Sequence, residues 1–189
     1  EMNPSLVGSE MCIRDSLDGI WSYCRGGAHI SKGNLAAARL ELGKIWQLIS
    51  LNDIDKHRTG PTPVSSILRL AAHGLSGEIK QASGDILSAI KDYESAIAIE
   101  DRNAYIEPPD WPQPIRHYLG DALLQAGQPE KAEDVYRKDL DWHQNNGWAL
   151  FGLWQSLAAQ GKSEEADETY KKFRHAWRNA DTNLTRSRI

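Results

Sequence analysis

Long apolar runs, cysteine, methionine and phenylalanine are all scarce in this chain. No apolar run reaches the roughly 18 residues that a membrane-crossing helix needs, so no such helix is expected. Two cysteines in 189 residues exclude a disulfide-rich scaffold. Neither charge sign dominates: 22 Lys and Arg stand against 26 Asp and Glu. A nucleic-acid binder held by net charge is therefore not expected. The chain also lacks a G-x-S-x-G elbow, a phosphate-binding glycine loop, a dinucleotide fingerprint and an H-E-x-x-H pair. No segment alternates apolar and polar residues as a half-buried strand would. What is present is a chain that is 40% hydrophobic and 25% charged, the balance of a folded protein.

The chain repeats itself. Leu119, Leu123, Gly127, Ala132 and Tyr136 recur 34 positions later as Leu153, Leu157, Gly161, Ala166 and Tyr170. Two earlier copies share the skeleton. Gly26, Gly33 and Ala38 keep the spacing of Gly120, Gly127 and Ala132, and so do Gly77, Gly84 and Ala89, with Tyr93 following. The longer offsets between these copies place extra residues at 51–63 and 101–112, which hold turn formers and prolines.

Each copy reads as two antiparallel helices, A and B. The first small residue lets helix A approach helix B. The second glycine ends helix A in a left-handed conformation, and the next residue caps helix B, as Asn34 and Asp85 can. Pro129 suits a first-turn position. The aromatic residue four beyond the alanine fills the gap to the next repeat. Helices A are expected over 17–32, 64–83, 114–126 and 147–160, and helices B over 35–48, 86–99, 129–140 and 163–177. Copy four departs from the pattern. Trp154 stands where the others have Gly26, Gly77 and Gly120, so this pair packs differently or opens wider, with Gly152 compensating in part.

A 34-residue period of helix pairs is that of the tetratricopeptide repeat (TPR). The most specific stretches are Tyr105-Ile106-Glu107-Pro108-Pro109-Asp110-Trp111, Leu119-Gly120 through Ala126-Gly127, and Asn145-Asn146-Gly147-Trp148 through Gly152-Leu153. With Leu75-Ser76-Gly77-Glu78-Ile79 and the ending Leu184-Thr185-x-Ser187-Arg188, the chain resembles the C-terminal part of long bacterial TPR proteins. The resemblance implies an all-α, right-handed superhelix of about four antiparallel pairs, a protein-interaction scaffold and further repeats upstream. Residues 5–16 resemble a translated sequencing-library adapter, so 1–16 are expected to be a disordered artefactual arm. The repeat domain then spans 17–189, with pairs at about 17–50, 63–100, 113–142 and 147–178 and a tail beyond. Removing Glu1, Glu10, Arg14 and Asp15 leaves 21 basic against 23 acidic residues, one cysteine and no methionine, as a C-terminal fragment would.

No catalytic residue, metal site or cofactor is expected. Cys24 lies on a pattern with Trp21 and Ala28 that reads as a buried structural thiol. His117 and Asp121, four apart, could share one helix face. The basic stretch 171–189 suits the negative end of the last helix, or an acidic partner. Prolines 108, 109, 112 and 114 fix an extended loop bearing Trp111, either a rigid connection or, with Glu107, a lip beside a groove. Most of the seven tryptophans are expected to fill gaps between repeats. By register, Tyr23, His117, Asp121, Gln125, Trp148, Phe151 and Gln155 face the concave side, where aromatic anchors suit a protein or peptide partner. Nucleic acid and membrane are not expected partners, and the compartment stays open. The alternative is a lobe of a larger enzyme or ligand-binding protein. There His117, Asp121, Glu107 and Arg116 would form one wall of a site whose active residues lie upstream.

Overall fold

The structure is a computed structural model. It describes the backbone of residues 4–50 and 54–188, and the side chains of 17–50 and 54–188. Its eight helices, among the described residues, are α1 (Pro4–Ser31), α2 (Leu35–Ile49), α3 (Val64–Ala82), α4 (Ile86–Glu100), α5 (Ile115–Gln125), α6 (Pro129–Trp142), α7 (Gly147–Ala159) and α8 (Ser163–Ala176). Apart from the start of α1, every boundary falls within two residues of the sequence expectation.

The reason is visible at the A-to-B turns. Gly33, Gly84, Gly127 and Gly161 all have positive φ, between 70° and 88°. At each, the following amide bonds back to a carbonyl five residues earlier: Asn34 to His29, Asp85 to Lys80, Gln128 to Leu123 and Lys162 to Leu157. This closure satisfies orphan carbonyls, and glycine adopts it without a Cβ clash. Asn34 and Asp85 then accept from the amides of Ala37 and Ser88, as expected of caps. Asn146 caps α7 through the amides of Trp148 and Ala149.

Two findings differ from the sequence reading. Residues 1–16, read as a disordered arm, carry helical backbone from Pro4 onward. Once α1 is nucleated, each added residue gains a hydrogen bond for little extra ordering, so helix extends upstream. In the segment between α2 and α3, Arg58–Thr59 (β1) and Thr62–Pro63 (β2) form a small antiparallel hairpin. Two-residue strands are too short to show an alternating pattern.

The chain divides into two compact units, residues 1–112 and 113–189. In the first, α1 packs on α2 and α3, and α3 packs on both α2 and α4. Ala38, Ile45, Leu68, Ala72 and Leu75 form its core. The face α1 buries is not the one its large residues suggest. Gly19, Ser22 and Gly26 are buried, and a Cβ at Gly19 or Gly26 would meet Leu68 or Leu75 at 2.2–2.5 Å. Trp21, Cys24 and Ala28 lie outside. The expectation of a buried Cys24 is corrected accordingly: small residues, not large ones, mark the contact face. Trp142 is also exposed, whereas Trp46, 39% exposed, sets its ring edge against His73 of α3 at 5.5 Å.

In the second unit, α5 packs on α6 and α7, α6 on α7, and α7 on α8. Tyr136 of α6 is fully buried between two glycines. A Cβ at Gly120 or at Gly152 would lie 2.2 Å from its ring. Tyr93 sits likewise against Gly77 in the first unit. Gly152 therefore receives the tyrosine of the preceding helix. Trp154 has the opposite effect: its ring meets Tyr170 at 5.0 Å and leaves Tyr170 39% exposed, where Tyr93 and Tyr136 are fully buried. Filling the glycine position with an indole displaces the tyrosine from the pair.

A polar brace joins α6 to the α7–α8 turn. Glu133 accepts from Arg137 at 2.8 Å, and from Gln160 and Lys162 at 2.7 Å each. Burial works to raise the Glu133 carboxyl, but these donors overcome it and hold it at about 2. A carboxylate held below its unfolded value stabilises the fold above about pH 4.5 and loses that contribution as pH falls toward 2. Glu133→Gln is expected to lower stability at neutral pH by about 1–2 kcal/mol, because its exposed partners are screened by water. The variant should also flatten the acid limb, so that wild type and variant converge near pH 2 in urea melts.

Candidate functional site

The C-terminal segment returns across the second unit. It starts at Trp177, whose indole N–H donates to the Thr182 carbonyl at 2.6 Å. Leu184 then packs against a cluster formed by Leu150, Phe151 and Phe173, with Trp154 and Trp177 alongside. The rings meet edge to face or tilted: Trp148–Trp177 at 5.3 Å, Phe151–Phe173 at 5.2 Å and Phe151–Trp154 at 5.3 Å. Gly147 opens α7 because Trp177 occupies the space a Cβ would take. A cleft of about 300 Å³ remains among Phe151, Trp154, Gln155, Tyr170, Asn183 and Leu184.

Farther along, the segment meets α5. Arg186 donates through Nε to Asp121 Oδ1 at 2.9 Å and through Nη2 to Oδ2, a two-pronged pair. Arg188 Nε donates to the same Oδ2 at 3.2 Å, and its guanidinium lies 5.4 Å from the Tyr118 ring centre. Between the two arginines, Ser187 is fully buried. Its hydroxyl donates to the His117 carbonyl at 3.3 Å. That uses its one hydrogen, so the short bond to Tyr136 has the phenol as donor. Burial pushes the Tyr136 phenol well above its usual range, so it keeps that proton at neutral pH.

His117 itself is buried, and its Nε2 lies 3.0 Å from Asp139 Oδ2. Asp139 also reaches His143 Nδ1 at 3.2 Å. His117 and Asp121 therefore share a helix face but take different partners. His117 holds α5 on α6, and Asp121 fixes the tail.

Five of the residues assigned to a groove by register fall in the second unit, at separate contacts: His117 faces Asp139, Asp121 meets Arg186, Trp148 meets Trp177, and Phe151 and Gln155 line the cleft. Gln125 joins them as an exposed donor to Asp121 at 3.4 Å. Tyr23 and Trp111 belong to the first unit, where their rings meet at 4.9 Å. The Tyr23 hydroxyl donates to Glu78 at 3.2 Å. Trp111 is thereby packed on α1, and Thr62 binds Asp110 to hold the same loop to the hairpin. Glu107 is exposed and accepts from the Tyr105 hydroxyl, after which a cis bond leads to Pro108. Arg116 is half-buried on α5. Sequence reasoning missed Tyr118, Tyr136, Asp139, Arg186, Ser187 and Arg188. The charges at 186 and 188 were visible, but a basic tail has no period that fixes where it folds back.

Among the described residues, no group of three or more His, Cys, Asp and Glu is placed to hold a metal ion. No described helix is long and apolar enough to cross a membrane.

Known structures identify the architecture. The chain superposes on a Podosopora anserina protein named for the kinesin light chain and built of nearly identical TPR-like repeats. The TM-score is 0.59 at 16% identity, over 85% of this chain and 75% of that one. The fold is all-α, of TPR-like helical repeats. Neither a protein-family profile nor a curated protein matches the sequence. At this identity the likeness speaks to the fold alone. TPR-like repeats as a class mediate contacts between proteins.

Proposed function

We propose that the protein is a non-catalytic interaction module of the TPR-like class, and that its second unit binds an extended peptide or protein segment. The observation that carries this reading is the tail itself. Residues 182–188 meet α5, α6 and the aromatic cluster as a peptide ligand would: one aliphatic anchor on aromatic rings, one buried side chain and charged hydrogen bonds to a carboxylate. Such a mix of apolar anchor and polar rim is what peptide grooves use. No nucleic acid is proposed: of the six Lys and Arg residues in 171–189, Arg186 and Arg188 turn inward to Asp121.

The test is selection of displayed peptides on the full chain carrying Arg186→Ala and Arg188→Ala, which frees the cleft. Peptides should be recovered, and their binding should fall at least about tenfold when Trp154→Ala, which removes a cleft wall, is added. Recovery of no peptide, or binding indifferent to Trp154→Ala, would remove this assignment.

A further inference from the structure

The tail's own chemistry specifies what the groove accepts. Asp121 is largely buried, with 8% of its side chain exposed, and two guanidinium groups converge on it. A carboxylate so placed demands cationic, hydrogen-bonding partners, and the planar fork of arginine meets that demand better than lysine does. The site between the arginines admits only a small residue. Ser187 is enclosed by the Tyr136 hydroxyl and the His117 carbonyl, and Tyr136 is held between Gly120 and Gly152. Tyr136 cannot retreat from a larger side chain. Two positions before Arg186, Leu184 rests on the aromatic cluster, whose remaining cleft is open.

The segment is also built to leave. Asp181, Thr182, Asn183 and Thr185 are exposed, and Arg186 keeps 41% of its side chain in water. Leu184, Arg186, Ser187 and Arg188 anchor it, with the Thr182 carbonyl held by the Trp177 indole. Tethering supplies an effective concentration in the millimolar range, which compensates for so few anchors.

From these placements we infer that the groove's ligand is an extended basic segment of pattern Leu-x-Arg-small-Arg on another protein. Residues 184–188 are a resident copy that this ligand must displace. The inference rests on the peptide-groove reading above and adds the ligand's chemistry and the competition.

Two synthetic octapeptides test it: residues 182–189, and the same peptide with alanine at both arginine positions. Each is titrated against three forms of the 189-residue chain: wild type, the Arg186→Ala/Arg188→Ala variant, and Ser187→Leu, which ejects the segment by bulk and leaves its charges intact. The arginine peptide should bind both released variants about tenfold or more tighter than wild type, and about tenfold tighter than the alanine peptide. Asp121→Asn, added to a released variant, should abolish the preference between peptides. Equal binding of the two peptides to the released variants would keep the groove and overturn the arginine chemistry. No binding of either at about 1 mM would overturn the groove reading as well. Equal affinity for wild type and released forms would overturn the competition. A wild-type dimer that both released variants lose would assign the groove to the tail of a second copy and overturn a foreign ligand.

Discussion

Tyr136→Ala is expected to cost the second unit about 3–5 kcal/mol, the largest single loss of any side chain in it. The ring is fully buried, and both walls that hold it are glycine backbone. Helices α5 and α7 approach to the distance a phenol requires and cannot close further without losing their other contacts. The deletion therefore leaves a cavity, and cavity formation adds to the lost transfer of the ring. Tyr136→Phe separates the two roles of the residue. It keeps the packing and removes the hydroxyl that donates to Ser187, so the loss should be about 1–2 kcal/mol and concentrated in the tail. Urea unfolding followed by circular dichroism reads both values. A loss under about 1 kcal/mol for Tyr136→Ala would contradict the wedge.

Asp139→Ala is expected to be nearly as damaging, at about 3–5 kcal/mol. Asp139 and His117 are each 1% exposed and face each other at 3.0 Å. Removing the carboxylate leaves the His117 N–H buried with no acceptor, and His117 Nδ1 already lacks a hydrogen-bond partner. The desolvation of the ring is then uncompensated. Asp139→Asn retains an acceptor oxygen of the same reach and should recover at least half of the loss. His143, whose ring is half in water, should matter little: His143→Ala is expected to change stability by under about 1 kcal/mol. Equal losses for Asp139→Ala and Asp139→Asn would show that the carboxylate charge, not an acceptor oxygen of the right reach, is at stake.

Helix boundaries were legible in the sequence because their signals are local. A glycine that must adopt positive φ, followed by a cap, marks a helix end wherever it occurs, and Gly33, Gly84, Gly127 and Gly161 mark four. Facing was less legible. On α1 the apolar residues Trp21 and Cys24 resemble a core stripe, yet the core uses Gly19, Ser22 and Gly26 because Leu68 and Leu75 of α3 need the room. Size alone does not identify the buried face when the partner helix supplies the bulk.

The candidate site divides in the same way. Register put His117 and Asp121 on one face of α5, because residues four apart are neighbours on a helix. It could not show that the chain's own tail lies on them. The contacts of Arg186, Ser187 and Arg188 span 51 to 70 positions and leave no periodic trace. Trp111 was legible as a packed loop residue, and its ring contact with Tyr23 supports that reading over a free lip.

The most direct measurement is the reactivity of a thiol placed at Ser187. In a Ser187→Cys protein, alkylation at 187 is compared by mass spectrometry with alkylation at exposed Cys24, the internal standard. With Ser187 fully enclosed, its replacement should react at least about tenfold more slowly than Cys24. Adding Arg186→Ala and Arg188→Ala, or saturating amounts of the arginine peptide, should raise the rate toward that of Cys24. Equal rates at the two positions in the single variant would contradict a tail bound in the groove.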